Sequence, residues 1–402
     1  MPPELTAADV RDRVRRARRR GNPAWLWPEV PVAVWRAAQQ QIADATATVL
    51  AGGRAALDGD AAAIGLAGYI SGMGPLLGWW QAQGRLDVPE AVAEVLARHL
   101  DHNRRRMVTL DTAARACVAM LVQHGIRVVV LKGMHTAFDY FPDPATRPAS
   151  DIDLLVAEDD ALVAAGLLAG QGFLPAGQGA FESNWRPADG AEMPRTLDLL
   201  HADDPWSIDL HHSLDMFVSA GSRTARLDLA RPMASETHWR SDPVARALDQ
   251  PLLLLHLAVH TGSGLQSLTL LRLVELALVI RKDRPSWNPF AAFAEQTGAL
   301  GYVWPALHLC EQLAPGTVPR PVLDRAAAAA PSRVRSVVAR LTPAEAQRVD
   351  RNSLAEHFMW TRGAAGWARQ LGADLIPASS WRRVRDIYAT RGWQVLRGRV
   401  GR

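Results

Sequence analysis

Two aspartates separated by one residue, Asp151-Ile152-Asp153, stand at the head of the apolar run Leu154-Leu155-Val156. In a strand, residues i and i+2 face the same way, so both carboxylates project together. Such neighbours repel and raise one another's pKa unless a cation lies between them. Mg²⁺ relieves that repulsion and takes carboxylate oxygens together with substrate phosphates. Upstream, Lys132-Gly133 closes an apolar run and opens a helical stretch. That junction offers backbone N–H groups and a helix N-terminus to a phosphate. Lys132 and Lys282 are the only lysines in the chain, and Lys132 places a point charge where a triphosphate would lie.

A third acid completes the requirement for two-metal nucleotidyl transfer, in which one metal holds the triphosphate and the other activates the attacking hydroxyl. Two residues compete for the place. Asp209 lies in the strand-like run Ser207 to Leu214, and Asp198 lies in Thr196 to His201. The third acid is also the candidate acceptor of the hydroxyl proton. His201, His211 and His212, near Asp203 and Asp204, match no closed zinc pattern, and adjacent His211 and His212 point to opposite faces of a strand. His211 shares the face of Asp209, where it orients that acid, meets substrate or serves as a structural histidine. His256 and His260 are i and i+4 on one helix, but no glutamate follows the first as in the metalloprotease pattern, so packing at a domain interface is expected. Ser263 has no strand before it and is not a nucleophile elbow.

The elements that must position these groups read as follows. The first hundred residues carry apolar positions at helical spacing, broken at Gly52-Gly53 and Pro75. Asp101 to His124 is an amphipathic helix stopped by Gly125. Then come a strand at Ile126 to Leu131, a short helix through Tyr140, a proline-rich loop, a strand at Asp151 to Ala157 and a helix at Glu158 to Gly170. Short strands follow at Gly172 to Pro175, Thr196 to His201 and Ser207 to Leu214, with a specificity loop at Phe181 to Arg195. From Pro243 onward the pattern is helical again, with candidates at Val244 to Val259, Leu265 to Ile280 and Phe290 to Gln296. The expected fold class is α+β: a mixed-sheet core over 101–235, flanked by helical regions over 1–100 and 236–402.

At this point the chain resembles a largely uncharacterised bacterial nucleotidyltransferase family within the DNA polymerase β superfamily. The resemblance rests on Leu131-Lys132-Gly133, Tyr140 through Arg147-Pro148, Asp151-Ile152-Asp153-Leu154-Leu155-Val156 and Ile208-Asp209-Leu210-His211. It is close over Gly125 to Leu214 and looser out to His256, His260, Arg272 and Trp287. It implies a polymerase-β-type core, with Asp151 and Asp153 as paired metal ligands and Asp209, rather than Asp198, as the third acid. It also implies Lys132-Gly133 as the nucleotide loop and Arg147 as a positioning or phosphate-contact residue, and His211 joins them as a candidate nucleotide contact. The chain departs from the pattern in having Lys-Gly where the superfamily more often has Gly-Ser, in a longer gap from Gly133 to Asp151, in His212 where tryptophan is common and in Glu275 where aspartate is common. The implied reaction is transfer of a nucleoside monophosphate from an NTP to an acceptor, with Mg²⁺ or Mn²⁺ as cofactor and release of pyrophosphate. The acceptor is a small molecule or a protein or peptide side chain. The alternative is a non-catalytic nucleotide- or partner-binding protein on the same fold.

Composition sets the outer bounds. A chain of 402 residues that is 48% hydrophobic and 21% charged suits a globular protein of two or three domains. The net charge of +4 is small for this length. The dense run Arg11 to Arg20 has no interleaved aromatics, so it reads as the solvated face of a helix, and no nucleic-acid partner is expected. Ala61 to Gly84 carries no charge and is long enough to span a bilayer. Its glycines and Pro75 instead predict two buried helices with a break near Gly74-Pro75, and no membrane association. Cys117 and Cys310 form no CxxC pair and read as buried free thiols of a cytoplasmic protein.

Overall fold

A computed structural model describes residues 5–20, 23–217, 226–227, 236–241, 244–265, 268–347, 358–361 and 363–375. The chain opens with α1 (Ala7–Arg20) and α2 (Val32–Leu50). On α1, Val10 and Ala17 are buried while Arg11, Arg15, Arg16 and Arg19 face outward, so the basic run is the solvated side of a packed helix. A short strand β1 (Ala55–Ala56) precedes the uncharged stretch, which folds as α3 (Ala61–Ser71) and α4 (Gly74–Ala82) bent by 118°. The Asp60 carboxylate accepts from the Ala63 N–H at 2.9 Å to start α3. Gly72, at φ 74°, supplies the left-handed residue that ends it. Among the described residues no single helix is long and apolar enough to cross a membrane, and this bent pair meets the test by length and composition only. Strand β2 (Leu86–Asp87) pairs in parallel with β1.

Helix α5 (Glu90–Gln123) is longer than its clearest apolar stripe suggested, because the stripe continues toward its N-terminus. Leu96, Leu100, Asn103, Met107, Leu110, Ala114, Cys117 and Leu121 recur at three- and four-residue spacing, and all are buried. Two buried polar residues of this helix, Asn103 and Arg106, hold a loop. Asn103 Nδ2 donates to the Ala145 carbonyl at 2.6 Å. Arg106, 1% exposed, donates to the carbonyls of Ala149, Asp204 and Pro205 at 2.8, 2.7 and 2.8 Å. A buried guanidinium satisfied by carbonyls fixes their relative positions, since loosening any one leaves a desolvated donor.

The central sheet is mixed. After β3 (Val129–Val130) and α6 (Lys132–Asp139) come β4 (Asp151–Leu155), α7 (Ala161–Gly170), β5 (Phe173–Gln178), β6 (Glu182–Pro187) and β7 (Ser207–His211). The two-residue strands β8 (Met216–Phe217) and β9 (Arg226–Leu227) pair with each other, while β10 (Glu236–His238) and β11 (Arg246–Leu248) return to the main sheet. Its order is β10-β11-β3-β4-β7-β6-β5. Pairing is parallel at β11/β3 and β4/β7 and antiparallel elsewhere. The sheet thus draws two strands from beyond residue 235.

Three local expectations are corrected here. Thr196 to His201 is not a strand: the Asp204 carboxylate accepts the N–H groups of Arg195 and His201 at 2.6 and 2.8 Å, which holds the segment in an irregular turn. Its place in the sheet goes to β6, inside the stretch read as a loop. That strand is mostly polar and gains its order from pairing with β7, with Trp185 its one buried side chain. Arg246 to Leu248 is a strand, not the start of a helix, because Pro251 separates it from α8 (Leu252–Ser263).

The remaining helices are α9 (Leu270–Asp283), α10 (Trp287–Gln296), α11 (Leu300–Leu313), α12 (Arg320–Ala329), α13 (Ser332–Val338), α14 (Pro343–Ala346) and α15 (Gly363–Leu375). Gly262 lets α8 lie against α11, since a Cβ there would meet the Tyr302 carbonyl oxygen at 2.4 Å. Two large cores share the sheet. Val130, Ile152, Leu154, Ile208 and Leu210 pack with α5 and α7 on one face. Val129, Leu131 and Leu155 join the helical core of α2, α4, α8, α9 and α11 on the other. Cys117 and Cys310 are both buried and free.

Candidate active site

The register of β4 against β7 assembles the acids. Asp151 lies beside Ser207, Asp153 beside Asp209 and Leu155 beside His211. In a parallel pair, residues in register share a face, so Asp151, Asp153, Asp209 and His211 all project from one side. Ile152, Leu154, Ile208 and Leu210 fill the opposite side and are at most 2% exposed. Ligand atoms of Asp153, Asp209 and His211 lie within 4.8 Å of one another. Asp151 shares their face but stands one pleat away, outside that group.

Strand β6 completes the cluster with residues that sequence reading had not assigned. Asn184 lies opposite Asp209 and Glu182 opposite His211. The Asn184 side-chain amide donates to Asp209 Oδ1, and the Ser207 hydroxyl donates to the same oxygen at 3.4 Å. His211 sits between two carboxylates, with Nε2 3.1 Å from Asp153 Oδ1 and Nδ1 3.2 Å from Glu182 Oε2. Nothing in the polar sequence of β6 marks it as a neighbour of β7; only the sheet order does.

Lys132 closes the cluster from the start of α6. Its Nζ lies 2.7 Å from Asp153 Oδ1, where Asp153 is buried at 2% exposure and Lys132 largely so at 16%. Gly133 lets the Arg147 guanidinium lie against the helix start, since a Cβ there would stand 2.9 Å from Arg147 Nη1. Arg147 packs over the helix start and is held in place by Glu275 of α9. Its Nε donates to Glu275 Oε1 at 2.8 Å and its Nη2 to Oε2 at 3.3 Å. The Thr136 hydroxyl also donates to Glu275. Glu275 is thus the anchor of Arg147. The sequence signal for it was an acid set among leucines and valines in the middle of α9, since such a residue is buried only when paired.

Electrostatics divide the acids. Burial and the neighbouring Asp153 push the Asp151 carboxyl up to about 6, against the pull of Lys132. Burial works on Asp153 in the same direction, but Lys132 and His211 overcome it and hold that carboxyl well below the ordinary carboxylate range. Asp209 is raised by burial and by Asp153. Burial disfavours the Lys132 ammonium, yet Asp153 and Asp151 outweigh it and raise its pKa.

The α8 histidines are near enough to feel the charges of this cluster. Burial, followed by the Lys132 ammonium, pushes the His256 imidazole down to about 3. His260 is also held neutral, by burial and by Lys132 and Arg272. His256 is 3% exposed, and neither of its ring nitrogens has a hydrogen-bond partner. Asp198 is exposed and lies off the sheet, so it does not join the acids. His201 stacks near His102 with ring centroids 4.3 Å apart. His212 makes an edge contact with Phe181.

A cavity of about 540 Å³ reaches the cluster at Asp151 and is also lined by Arg147 and Arg272. Lys132, Asp153, Asp209 and His211 do not line it.

A family model described as an uncharacterised nucleotidyltransferase matches residues 79–315, more than half of this 402-residue chain. The matched span holds the acid cluster, the Lys132-Gly133 turn, Arg147, both α8 histidines and Glu275. No curated protein and no solved structure matches the chain. The chain belongs to this nucleotidyltransferase family.

Proposed function

From that membership and the site geometry, we propose that the protein is a metal-dependent nucleotidyltransferase with a polymerase-β-type core. It transfers a nucleoside monophosphate from an NTP to an acceptor and releases pyrophosphate. The observation that carries this reading is the β4/β7 register, which sets Asp153 beside Asp209 and puts Asp151 on the same face.

The donor set suits a divalent cation. Asp153 and Asp209 offer hard carboxylate oxygens, Asp151 stands next to them, and His211 adds a nitrogen that Mn²⁺ accepts more readily than Mg²⁺. When bound, the metal neutralises the triphosphate and lowers the pKa of the attacking hydroxyl. The remaining work falls to the chain. The Lys132 ammonium and the N-terminus of α6 face the phosphates. Arg147, locked by Glu275, presents a guanidinium beside Gly133 without paying rotamer entropy at each encounter. Asn184 and Ser207 fix the orientation of Asp209, and Glu182 fixes His211. A cytoplasmic location and the absence of a nucleic-acid partner belong to the same proposal.

The test is turnover of labelled NTPs with Mg²⁺ or Mn²⁺ by the wild type beside an Asp151→Asn/Asp153→Asn variant. Label transfer or pyrophosphate release by the wild type, lost by about a thousandfold or more in the variant, is the expected result. Equal turnover in both would remove the acids from the reaction. Failure of the wild type to bind any NTP with metal would leave the fold as a binding scaffold.

A further inference from the structure

The cavity beside Asp151 has a composition unlike the acid cluster. One wall is apolar and partly aromatic, formed by Trp27, Tyr69 and Ile70 from the N-terminal region and by Leu200 from the loop before β7. The lining also carries Arg147 and Arg272, two guanidinium groups that share Glu275 as a neighbouring carboxylate. Ser150 and Asp151 lie where the cavity meets the acids. The volume of about 540 Å³ falls in the range of small-molecule sites and is too small for a folded partner or a polymer. Its position also matters. Of the residues proposed to face the triphosphate and metal, Asp151 and Arg147 line it while Lys132, Asp153, Asp209 and His211 lie outside it, so a ligand here approaches the cluster from the Asp151 side.

We propose that this cavity is the acceptor site, and that the acceptor is a small molecule with an apolar, ring-bearing body, one anionic group and a hydroxyl. The inference rests on the nucleotidyltransferase reading and specifies its substrate class. The apolar body lies against Trp27, Tyr69, Ile70 and Leu200, the anion faces Arg147 and Arg272, and the hydroxyl reaches the cluster beside Asp151. In the reaction the hydroxyl oxygen bonds to the α-phosphorus, and the bond from that phosphorus to the pyrophosphate oxygen breaks. The hydroxyl proton passes to a carboxylate of the cluster and then to water, and pyrophosphate leaves. Two guanidinium groups beside the single Glu275 carboxylate leave the site net positive, which gives it a preference for carboxylate, sulfonate or phosphate.

Calorimetric titration of the full chain tests this, with 1-anilinonaphthalene-8-sulfonate as the probe and α,β-methylene-ATP with Mg²⁺ as a non-reacting nucleotide. The probe is expected to bind at a single site with the same affinity whether or not the nucleotide analogue is saturating. Filling the cavity by Ile70→Trp, or from a different element by Leu200→Trp, is expected to weaken the probe by about ten-fold or more, with analogue binding unchanged. Arg272→Met is expected to weaken the sulfonate probe and leave the uncharged N-phenyl-1-naphthylamine unaffected. Competitive displacement of the probe by the analogue would overturn the proposal, because the cavity would then hold the nucleotide. So would probe binding that is indifferent to both tryptophan variants. Retained analogue binding shows that a variant is folded. A wild type that binds the probe but no analogue defeats the nucleotidyl-transfer reading, and the tryptophan variants still decide where the probe sits.

Discussion

The two faces of the β4/β7 pair have opposite characters although their residues alternate along the same ten positions. One face presents Ile152, Leu154, Ile208 and Leu210 to the α5 and α7 core, and the other presents Asp151, Asp153, Asp209 and His211 to α6, α8 and β6. The apolar face gains stability from every methyl it buries. On the other face the protein carries like charges in a partly desolvated setting, a cost offset in part by Lys132 and His211 beside Asp153. Backing the acids with a packed core gives them a rigid base, so their spacing does not relax when they repel. The pair therefore separates stability from chemistry at single-residue resolution.

The largest test of that separation is within the acid face. Asp153→Asn removes the partner of the buried Lys132 ammonium and is expected to cost about 3–5 kcal/mol of stability, as broken buried pairs do. Asp151→Asn removes a carboxylate that is raised by its neighbour and is expected to stabilise the fold. Urea unfolding in EDTA at pH 8 reads both, and equal losses in the two variants would show that the cluster is not divided as described.

A smaller effect comes from acid, where two shifts oppose each other. Buried His99 titrates at about 4 in the fold against an ordinary 6.5. As pH falls from 6.5 toward 4, the unfolded chain takes up this proton and the fold does not, so stability drops by about 3 kcal/mol at ~1.4 kcal/mol per unit. His256 and His260 add losses of the same sign. Asp151 runs the other way, because its carboxyl titrates at about 6 in the fold against an ordinary 3.8. The fold takes that proton first, which stabilises it as pH falls through 6. Asp151→Asn should therefore steepen the acid-side loss in metal-free unfolding curves between pH 7 and 4, and His99→Gln should flatten it. An unchanged slope in both variants would contradict the assignment.

The smallest effect lies on the apolar face. Ile208 is fully buried, and Ile208→Val is expected to cost about 1 kcal/mol in unfolding. Metal or nucleotide affinity measured on the same variant should not change, because the deleted methyl points away from the acids. A loss of metal affinity comparable to that of Asp153→Asn would show that the two faces are coupled.

Much of this site can be read directly from local pattern. The D-x-D spacing requires two carboxylates on one side of a strand whatever the rest of the chain does, and the alternation Ile208-Asp209-Leu210-His211 places His211 with Asp209 for the same reason. Lys132-Gly133 at a strand-to-helix junction marks the end of α6 that faces the acids. The uncharged stretch over 61–84 folds as the expected pair of helices because glycine and proline act locally. Less legible were Asn184 and Glu182, which lie in a polar strand with no apolar alternation, and Thr196 to His201, whose apparent alternation is turned aside by the Asp204 carboxylate.

What the sequence determined by itself is therefore the chemistry available and the face each group occupies, since side-chain direction in a strand depends only on the backbone two residues long. Tertiary structure alone decided which strand lies beside which. The parallel register that brings Asp153 to Asp209, the pairing that brings β6 to β7, and the packing of α9 that delivers Glu275 to Arg147 all join residues distant in the chain. The same holds for the cavity at Asp151, whose walls come from six separate stretches of the chain, from Leu26 to Arg272. Such contacts depend on how whole elements bury their apolar surfaces against one another, and no local spacing encodes that.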